Sequence, residues 1–121
     1  MEPNELEQEP FKPEITLEDF QKLDLRVCQV VACGEVIKSR NFLKLTVNDG
    51  QGERTIMSTI RAYYKPADLI GKKIVVLVNL APHKFCGEVS EGMLIAVDIP
   101  DEDLCKVIFA HEDCPVGQRV S

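Results

Sequence analysis

The sequence feature that most restricts the fold is an alternating apolar and polar stretch that runs directly into a turn. In residues 42–47, Leu43, Leu45 and Val47 face one way and their neighbours face the other, which is typical of a half-buried strand. The next five residues, 48–52, contain two glycines that can adopt positive φ, and another apolar stretch follows at residues 54–60. These two stretches therefore predict a β-hairpin.

Further short apolar stretches predict additional strands at residues 74–80, 93–97 and 107–110. Residues 25–37 are rich in valine and predict a long first strand, in which Gly34 marks a bend or bulge. A turn around Pro82 and a loop through Gly87 are expected before the strand at residues 93–97. The chain thus contains several short strands and no internal repeat.

Two short helices are predicted beside the strands. Thr16 can cap a helix with acidic residues in its first turn, and this helix is expected to end before Asp24. Pro66 and Gly71 frame a second helix between the third and fourth strands. This order predicts an all-β fold, a Greek-key β-barrel of the OB type, with a β-sandwich as the alternative.

The length of the chain restricts it to one domain. Its 121 residues and 13.6 kDa suffice for a core that needs no disulfide or metal. Residues 1–14 contain three prolines and five glutamates and predict a flexible acidic tail, so that residues 15–121 form the domain. No apolar run is long enough to cross a membrane and no signal peptide is recognisable, which indicates a cytoplasmic protein.

Charge is distributed unevenly along the chain. The formal net charge is −6, yet residues 24–91 carry ten basic and seven acidic residues. By contrast, residues 1–21 carry seven acidic residues and one lysine, and residues 92–121 are again acidic. The middle of the domain is therefore mildly basic, and charge alone leaves both a solvated surface and a nucleic-acid interface open.

The sequence contains no arrangement typical of an enzyme or a metal site. Glycine-rich phosphate-binding motifs and H-E-x-x-H are absent. Five cysteines without a C-x-x-C pair, and only two histidines, do not have the spacing of a zinc site and predict reduced thiols. His83 precedes Cys86 by three residues, but a surface histidine beside a loop cysteine explains them better than a nucleophilic pair. A binding module without cofactor or metal is therefore expected.

Seven short motifs occur in an order and spacing that resemble a known family. They are Asp24-Leu25-Arg26-Val27, Leu43-Lys44-Leu45, Arg54-Thr55-Ile56, Tyr63-Tyr64, Leu69-Ile70-Gly71-Lys72-Lys73, Val78-Asn79-Leu80-Ala81-Pro82 and Ser90-Glu91-Gly92-Met93. Over residues 15–120 the chain resembles the tRNA-binding domain family, found as stand-alone proteins and at the C-terminus of bacterial methionyl-tRNA synthetases. The resemblance implies an OB barrel, C-terminal elements that support a homodimer, and tRNA recognised mainly by shape as the partner.

The resemblance and the basic centre together indicate eight tRNA-binding residues. Basic side chains in the hairpin and in the loop after the fourth strand are expected to neutralise phosphates, because OB folds bind oligonucleotides there. These are Lys38, Arg40, Lys44, Arg54 and Lys84. By resemblance, Asn79, Ser90 and Met93 lie on or beside the same face, with a structural turn as the alternative for residues 90–93. Glu91 would repel phosphate, so we expect it to form hydrogen bonds within its loop.

The chain departs from the family pattern at several positions. Residues Arg40-Asn41-Phe42 stand where the family usually has a lysine directly before the paired leucines. Phe85-Cys86 replaces a more basic or aliphatic pair, and Thr59 stands where glycine is common. Phe42 is expected either to stack on a base or to pack under the N-terminal helix.

Two other functions are compatible with the same residues. A dimeric protein-interaction module, either a synthetase scaffold or a chaperone-like member such as the CsaA group, would hold peptides on apolar surface. A domain or subunit of a methionyl-tRNA synthetase would be an accessory to aminoacylation, because 121 residues leave no room for the catalytic core. Salt dependence separates peptide binding from tRNA binding, since phosphate contacts weaken steeply with added salt.

Overall fold

A computed structural model describes residues 9–121 of the protein, so that the first eight residues of the predicted acidic tail lie outside the described part. The helices are α1 (Leu17–Phe20), α2 (Pro66–Leu69) and a 3₁₀ helix (Pro100–Glu102). The strands are β1 (Leu25–Glu35), β2 (Leu43–Asn48), β3 (Glu53–Ser58), β4 (Lys73–Leu77), β5 (His83–Phe85), β6 (Glu88–Ser90), β7 (Met93–Leu94), β8 (Ala96–Ile99), β9 (Leu104–Val107) and β10 (Arg119–Val120).

Six of the strands form one antiparallel sheet that curls into a barrel. Its order is β3-β2-β1-β4-β7, and β10 also pairs with β1. The long strand β1 pairs with two neighbours in turn, with β4 along its first half and with β2 along its second half. The hairpins β5–β6 and β8–β9 form two small separate sheets. The predicted all-β, OB-type barrel is confirmed, including the helix between the third and fourth strands.

The barrel closes along a seam between β3 and the residues that join β6 to β7. The Glu91 N–H donates to the Thr55 carbonyl at 2.8 Å, and the Glu91 carboxylate accepts from the Thr55 N–H at 2.9 Å. The Ser90 hydroxyl accepts from the Met57 N–H at 2.9 Å and donates to the Gly92 carbonyl at 3.0 Å. Side chains thus supply part of the ladder here. Glu91 forms hydrogen bonds, but they reach Thr55 of β3 and do not stay within its own loop as predicted.

Gly92 allows this seam to close tightly. Its φ of +144° lies in the region that favours glycine, and a Cβ atom there would lie 2.7 Å from the Leu77 carbonyl oxygen. It would also lie 3.2 Å from the Ile56 side chain. The close packing of β7 against its neighbours therefore requires glycine at this position of the Ser-Glu-Gly-Met motif.

The inward side of β2 forms the centre of the core. Leu43, Leu45 and Val47 are fully buried, which confirms the predicted alternation. Leu69 of α2 is also fully buried and joins the same cluster, so this short helix packs against one end of the barrel. The Gly71 N–H, just past α2, donates to a carbonyl of β1 at 2.8 Å.

Both predicted helices are present. The Thr16 hydroxyl accepts from the Asp19 N–H at 3.1 Å, the Asp19 carboxylate accepts in return from the Thr16 N–H, and α1 ends before Asp24. At α2 the capping residue Lys65 offers no acceptor, and the Asp68 carboxylate accepts the Lys65 N–H at 2.8 Å. Among residues 9–121, no helix has the length and apolar character needed to span a membrane.

Several details of the predicted strands are wrong. The register between β1 and β2 shifts at Val31, so the bulge lies there, whereas Gly34 pairs regularly with Lys44. The strand predicted at residues 93–97 is split, because β7 pairs with β4 and β8 turns away to pair with β9. The last predicted strand, at residues 107–110, overlaps β9 only at Val107, because β9 begins at Leu104 in this added hairpin.

The segment predicted as a loop through Gly87 contains the hairpin β5–β6. Its two turn residues, Cys86 and Gly87, have φ values of +51° and +82°. Two consecutive positive values are typical of a type I′ turn, which usually begins with asparagine, aspartate or glycine. Because cysteine occupies that position, the sequence lacks the usual turn signal.

The last strand, β10, was not predicted and lies beside the beginning of the barrel. Leu25 pairs with Val120, and Arg26 pairs with Arg119. The Gly117 N–H extends the contact by donating to the Val27 carbonyl at 2.7 Å. The C-terminal segment is thereby anchored along the first half of β1.

Candidate nucleic-acid interface

Three of the predicted phosphate-binding residues are exposed on two neighbouring segments. Lys38 and Arg40 lie in the loop between β1 and β2, and Lys84 lies in β5. The ring centroids of Phe42 and Phe85 are 4.9 Å apart, which brings this loop and the β5–β6 hairpin into contact. Because side chains alternate along a strand, Lys84 points to the face of the hairpin opposite Phe85. We call these three basic side chains the exposed cations.

Arg61 holds the β1–β2 loop in place, and no motif in the sequence indicated this role. Its guanidinium donates to the Ser39 carbonyl and to the Glu35 carboxylate, the latter at 3.0 Å. The backbone N–H of Arg61 donates to the Asn41 carbonyl at 3.2 Å. Since the partners lie at both ends and in the middle of the loop, Arg61 sets the positions from which the loop cations project.

Lys44, the fourth predicted cation, is already paired. Its ammonium lies 3.0 Å from the Glu88 carboxylate, and the two side chains are 42% and 39% exposed. Phe42 lies directly before β2 and on the same side of the chain as Lys44, so the ring contact with Phe85 and the ion pair with Glu88 both join this segment to one face of the hairpin. An approaching phosphate must compete with Glu88 for Lys44.

Arg54, the fifth predicted cation, is directed into the fold. Its guanidinium donates to the Asp49 carboxylate at 2.7 Å and to the carbonyls of Val78 and Glu91 at 3.0 and 2.7 Å. The Asp49 side chain is only 11% exposed, and that of Arg54 is 25% exposed. These bonds join the β2–β3 turn to the end of β4 and to the seam, which gives Arg54 a structural task.

We expect the protein to lose stability in acid as Asp24 and Asp49 become protonated. The hydrogen bond from Arg26 holds the pKa of Asp24 below its ordinary value. Burial raises the pKa of Asp49, but hydrogen bonds from Arg54 and from backbone N–H groups outweigh burial and lower it. A carboxylate with a lowered pKa stabilises the fold above its unfolded pKa of about 4, and this contribution disappears as the pH falls through the folded pKa.

The free energy of unfolding in urea, measured at several pH values between about 6 and about 3, gives this loss of stability. The variant Asp49→Asn is expected to be less stable than the unaltered protein at the upper end and to change less with pH. Glu102→Asn, on the exposed 3₁₀ helix, serves as the control. Equal pH dependence of the unaltered protein and the Asp49→Asn variant would contradict this account.

Asn79 and Ser90 are engaged within the fold. The Asn79 side-chain oxygen accepts from the Asp24 N–H at 2.9 Å, and its amide nitrogen donates to the Lys22 carbonyl at 2.7 Å. Asn79 thereby ties the residues after β4 to the chain that enters β1. Ser90 is 3% exposed, and its hydroxyl is used twice in the seam. The structure therefore leaves the Ser90 hydroxyl no free contact surface.

Met93 lies in an apolar groove between the hairpin and the end of β3. The groove has a volume of about 730 Å³. Met93 is 48% exposed, so its side chain is accessible from solvent. Apolar and aromatic side chains dominate the lining, among them Phe42, Met57, Tyr63, Leu80, Phe85 and Met93. We call this surface the apolar groove.

The five cysteines are free thiols. Burial raises the pKa of Cys28 and that of Cys33 to about 11, which makes both thiols weak nucleophiles. Cys86 is exposed in the hairpin turn, and the ring of His83 packs instead on Phe85, with centroids 4.4 Å apart. Within residues 9–121, no group of three or more histidine, cysteine or acidic side chains is gathered as a metal site would require.

Comparisons with known proteins give a consistent result. Residues 25–119 match the family described as "Putative tRNA binding domain". The methionine–tRNA ligase of Clostridium acetobutylicum is 46% identical over 112 residues, which are 93% of this chain and 17% of the ligase. That share is also 17% for the ligase of Clostridium tetani, so the chain spans about a sixth of the length of these curated relatives.

Two solved structures are similar over nearly the whole chain. The MetRS-related protein from Pyrococcus horikoshii is 34% identical with a TM-score of 0.86, and the match covers 91% of this chain and 100% of that chain. The chaperone CsaA from Bacillus anthracis is 28% identical with a TM-score of 0.80, and the match covers 90% of this chain and 100% of that chain.

Proposed function

The chain belongs to the tRNA-binding domain family, and from this premise we propose that it binds folded tRNA as a non-catalytic module. The observation that supports this most directly is the placement of Lys38, Arg40 and Lys84 on the β1–β2 loop and the adjoining hairpin. These are segments through which OB folds bind oligonucleotides. Phosphate contacts of this kind position an RNA without reading its bases, so recognition depends on the shape of the tRNA.

Arg54, Asn79 and Ser90 act on this interface through the fold. Their polar groups hold the seam and the end of β4, and these segments in turn support the apolar groove and the hairpin. Met93 is the member of the predicted set that offers an adaptable apolar contact to RNA. Lys44 contributes a phosphate contact only when Glu88 releases it.

We also propose that two copies act together as an accessory to methionyl-tRNA synthetase in the cytoplasm. Exposed apolar side chains at and after β8–β9, namely Val97, Ile108 and Phe109, offer a surface for a second copy. A twofold dimer would present two sets of exposed cations to one tRNA, which raises affinity through effective concentration. The similarity to methionine–tRNA ligases supports the association with that enzyme.

The proposal is tested by titrating the protein with folded tRNA and with an unstructured RNA of equal length, at two salt concentrations, while its mass in solution is measured. We expect a preference for folded tRNA, a steep loss of affinity with salt, and the mass of a dimer. Absence of RNA binding at low salt would overturn the proposal, and a monomer that still prefers folded tRNA would overturn only the dimer.

Replacing Glu88 with glutamine is expected to increase tRNA affinity several-fold at low salt. The change removes the carboxylate that competes for Lys44 and frees this cation for a phosphate. The slope of log K against log salt should then steepen by about one, since one further counterion is released on binding. Binding isotherms at four salt concentrations measure both effects. Glu102→Gln removes the same charge elsewhere, and an equal gain in this control would show that only net charge matters.

The apolar groove favours a second candidate function, peptide binding by a chaperone-like module. Leu80 and Met93 are both nearly half exposed in the groove, and the similar CsaA structure is described as a chaperone. Adaptable apolar side chains suit binding to varied sequences. An apolar peptide that binds with little salt dependence, together with no affinity for tRNA, would favour this function over the first.

A further inference from the structure

Three aromatic rings line one end of the apolar groove, and the proposed tRNA binding described above does not use them. The rings of His83 and Phe85 have centroids 4.4 Å apart, and those of Phe42 and Phe85 are 4.9 Å apart. The rings are tilted by 49° and 38° at these short distances, so the three pack against one another as one aromatic cluster and do not lie in a common plane. His83 is exposed, and the two phenylalanines are half-buried. We call this surface the aromatic platform.

The surroundings of the aromatic platform match the parts of a nucleotide. Lys38 and Arg40 precede Phe42 in the same loop and carry the positive charge that a phosphate requires. Ser58 and Thr59 also line the groove, and among residues 9–121 their hydroxyls form no hydrogen bond with the protein. An unpaired base can stack on an exposed aromatic ring, its phosphate can bind the nearby cations, and its edge can bond to the free hydroxyls.

Phe42 and Phe85 are also positions where the chain departs from the pattern of the family it resembles. Phe42 stands where a lysine is usual, and Phe85 stands where a basic or aliphatic residue is usual. The structure brings these two departures into direct contact. Together they place two aromatic rings at the junction of the β1–β2 loop and the hairpin.

We propose that the aromatic platform binds one unpaired nucleobase of a folded RNA. The base stacks against Phe85 and His83, and its phosphate lies against Lys38 and Arg40. This inference rests on the proposed tRNA binding and adds to it a contact that depends little on salt, because stacking releases no counterions. The interface would then favour tRNA with an accessible unpaired base over a fully paired helix of similar charge.

The test uses variants of the whole chain that distinguish loss of the aromatic ring from loss of side-chain volume. Phe85→Leu keeps an apolar side chain and removes the flat face, Phe85→Trp keeps a flat face, and Val89→Ala alters the opposite side of the same hairpin. We expect Phe85→Leu to weaken tRNA binding about tenfold, the effect of losing one base–aromatic stack, with an unchanged salt slope. Phe85→Trp and Val89→Ala are expected to bind like the unaltered protein, and none of the three is expected to bind a fully paired RNA duplex differently.

A second readout does not depend on affinity. An RNA duplex with one bulged 2-aminopurine is expected to lose fluorescence on binding the unaltered protein, because the base becomes stacked, and to retain it with Phe85→Leu. If Phe85→Leu unfolds at lower temperature, the exposed His83→Ala replaces it, with the same expected loss of quenching.

The outcomes distinguish this inference from the proposed function. The base-binding site alone would be overturned if Phe85→Leu lost affinity for tRNA and for the paired duplex alike. It would also be overturned if tRNA binding and quenching were unchanged in Phe85→Leu and His83→Ala. Failure of the unaltered protein to bind tRNA would overturn both. Loss of apolar-peptide binding in Phe85→Leu, with tRNA binding intact, would also overturn the base-binding site and assign the platform to peptides.

Discussion

Replacing Arg54 with alanine is expected to lower the free energy of unfolding by about 3 kcal/mol, as is typical when one partner of a largely buried ion pair is removed. The change leaves the Asp49 carboxylate, which is only 11% exposed, without its cation. It also removes the donors to the Val78 and Glu91 carbonyls, at the point where the seam closes. Urea unfolding at neutral pH, followed by circular dichroism, measures the loss.

Arg54→Lys is the matched variant, because it keeps the charge but cannot reach three acceptors with a planar fork. We expect it to recover only part of the lost stability. Both variants should keep the salt slope of tRNA binding, since Arg54 faces into the fold. An alanine variant as stable as the unaltered protein, with a reduced salt slope, would instead make Arg54 a phosphate-binding residue.

Replacing Lys38, Arg40 and Lys84 together with alanine is expected to weaken tRNA binding about 100-fold at moderate salt. Each phosphate contact contributes somewhat less than one unit to the slope of log K against log salt, so three contacts account for a slope change of roughly two to three. At about 0.1 M salt, that slope corresponds to a factor of about 100 or more. Because all three side chains are exposed, the unfolding free energy should change little.

The control is a triple alanine variant of Lys65, Lys72 and Lys106, which are exposed lysines outside the two interface segments. It alters the net charge by the same amount and is expected to weaken binding only slightly. If the two triple variants lost affinity equally, general attraction to the domain, and not a defined interface, would explain RNA binding.

Patterns within a few residues of each other predicted the fold well. Leu43, Leu45 and Val47 alternate in the sequence and are fully buried, because a strand with one buried face requires that period. Pro66 and Gly71 bracket α2 for reasons of backbone conformation that apply before any tertiary contact forms. Such local signals determined the order of the elements, from which the barrel followed.

Features that depend on distant contacts were missed. The bulge at Val31 is set by the pairing of β1 with two neighbours, and nothing in the valine-rich stretch distinguishes it. The hairpin turn at Cys86 lacks the residue that normally indicates a type I′ turn. Arg61 acts on carbonyls and a carboxylate 20 or more residues away in sequence, so its role appears only in the folded chain.

The sequence indicated candidate residues for the site but not which way each side chain points. Basic residues in the hairpin and in the loop after the fourth strand were all assigned to phosphate, since charge does not reveal the direction of a side chain. Lys38, Arg40 and Lys84 project outward, Lys44 is paired with Glu88, and Arg54 is enclosed by the β2–β3 turn. The roles of all eight residues in RNA binding stay predictions, and the variants above separate direct contacts from structural support.

The pairing of β10 with β1 has a consequence for how the barrel can be joined to other modules. Paired Cα atoms in an antiparallel ladder are about 5 Å apart, so the segments beyond Leu25 and Val120 leave the barrel from neighbouring points. A domain with this geometry can be spliced into a single surface loop of a host protein without stretching it. Two modules joined at these two points would likewise start side by side, each at high local concentration for the other.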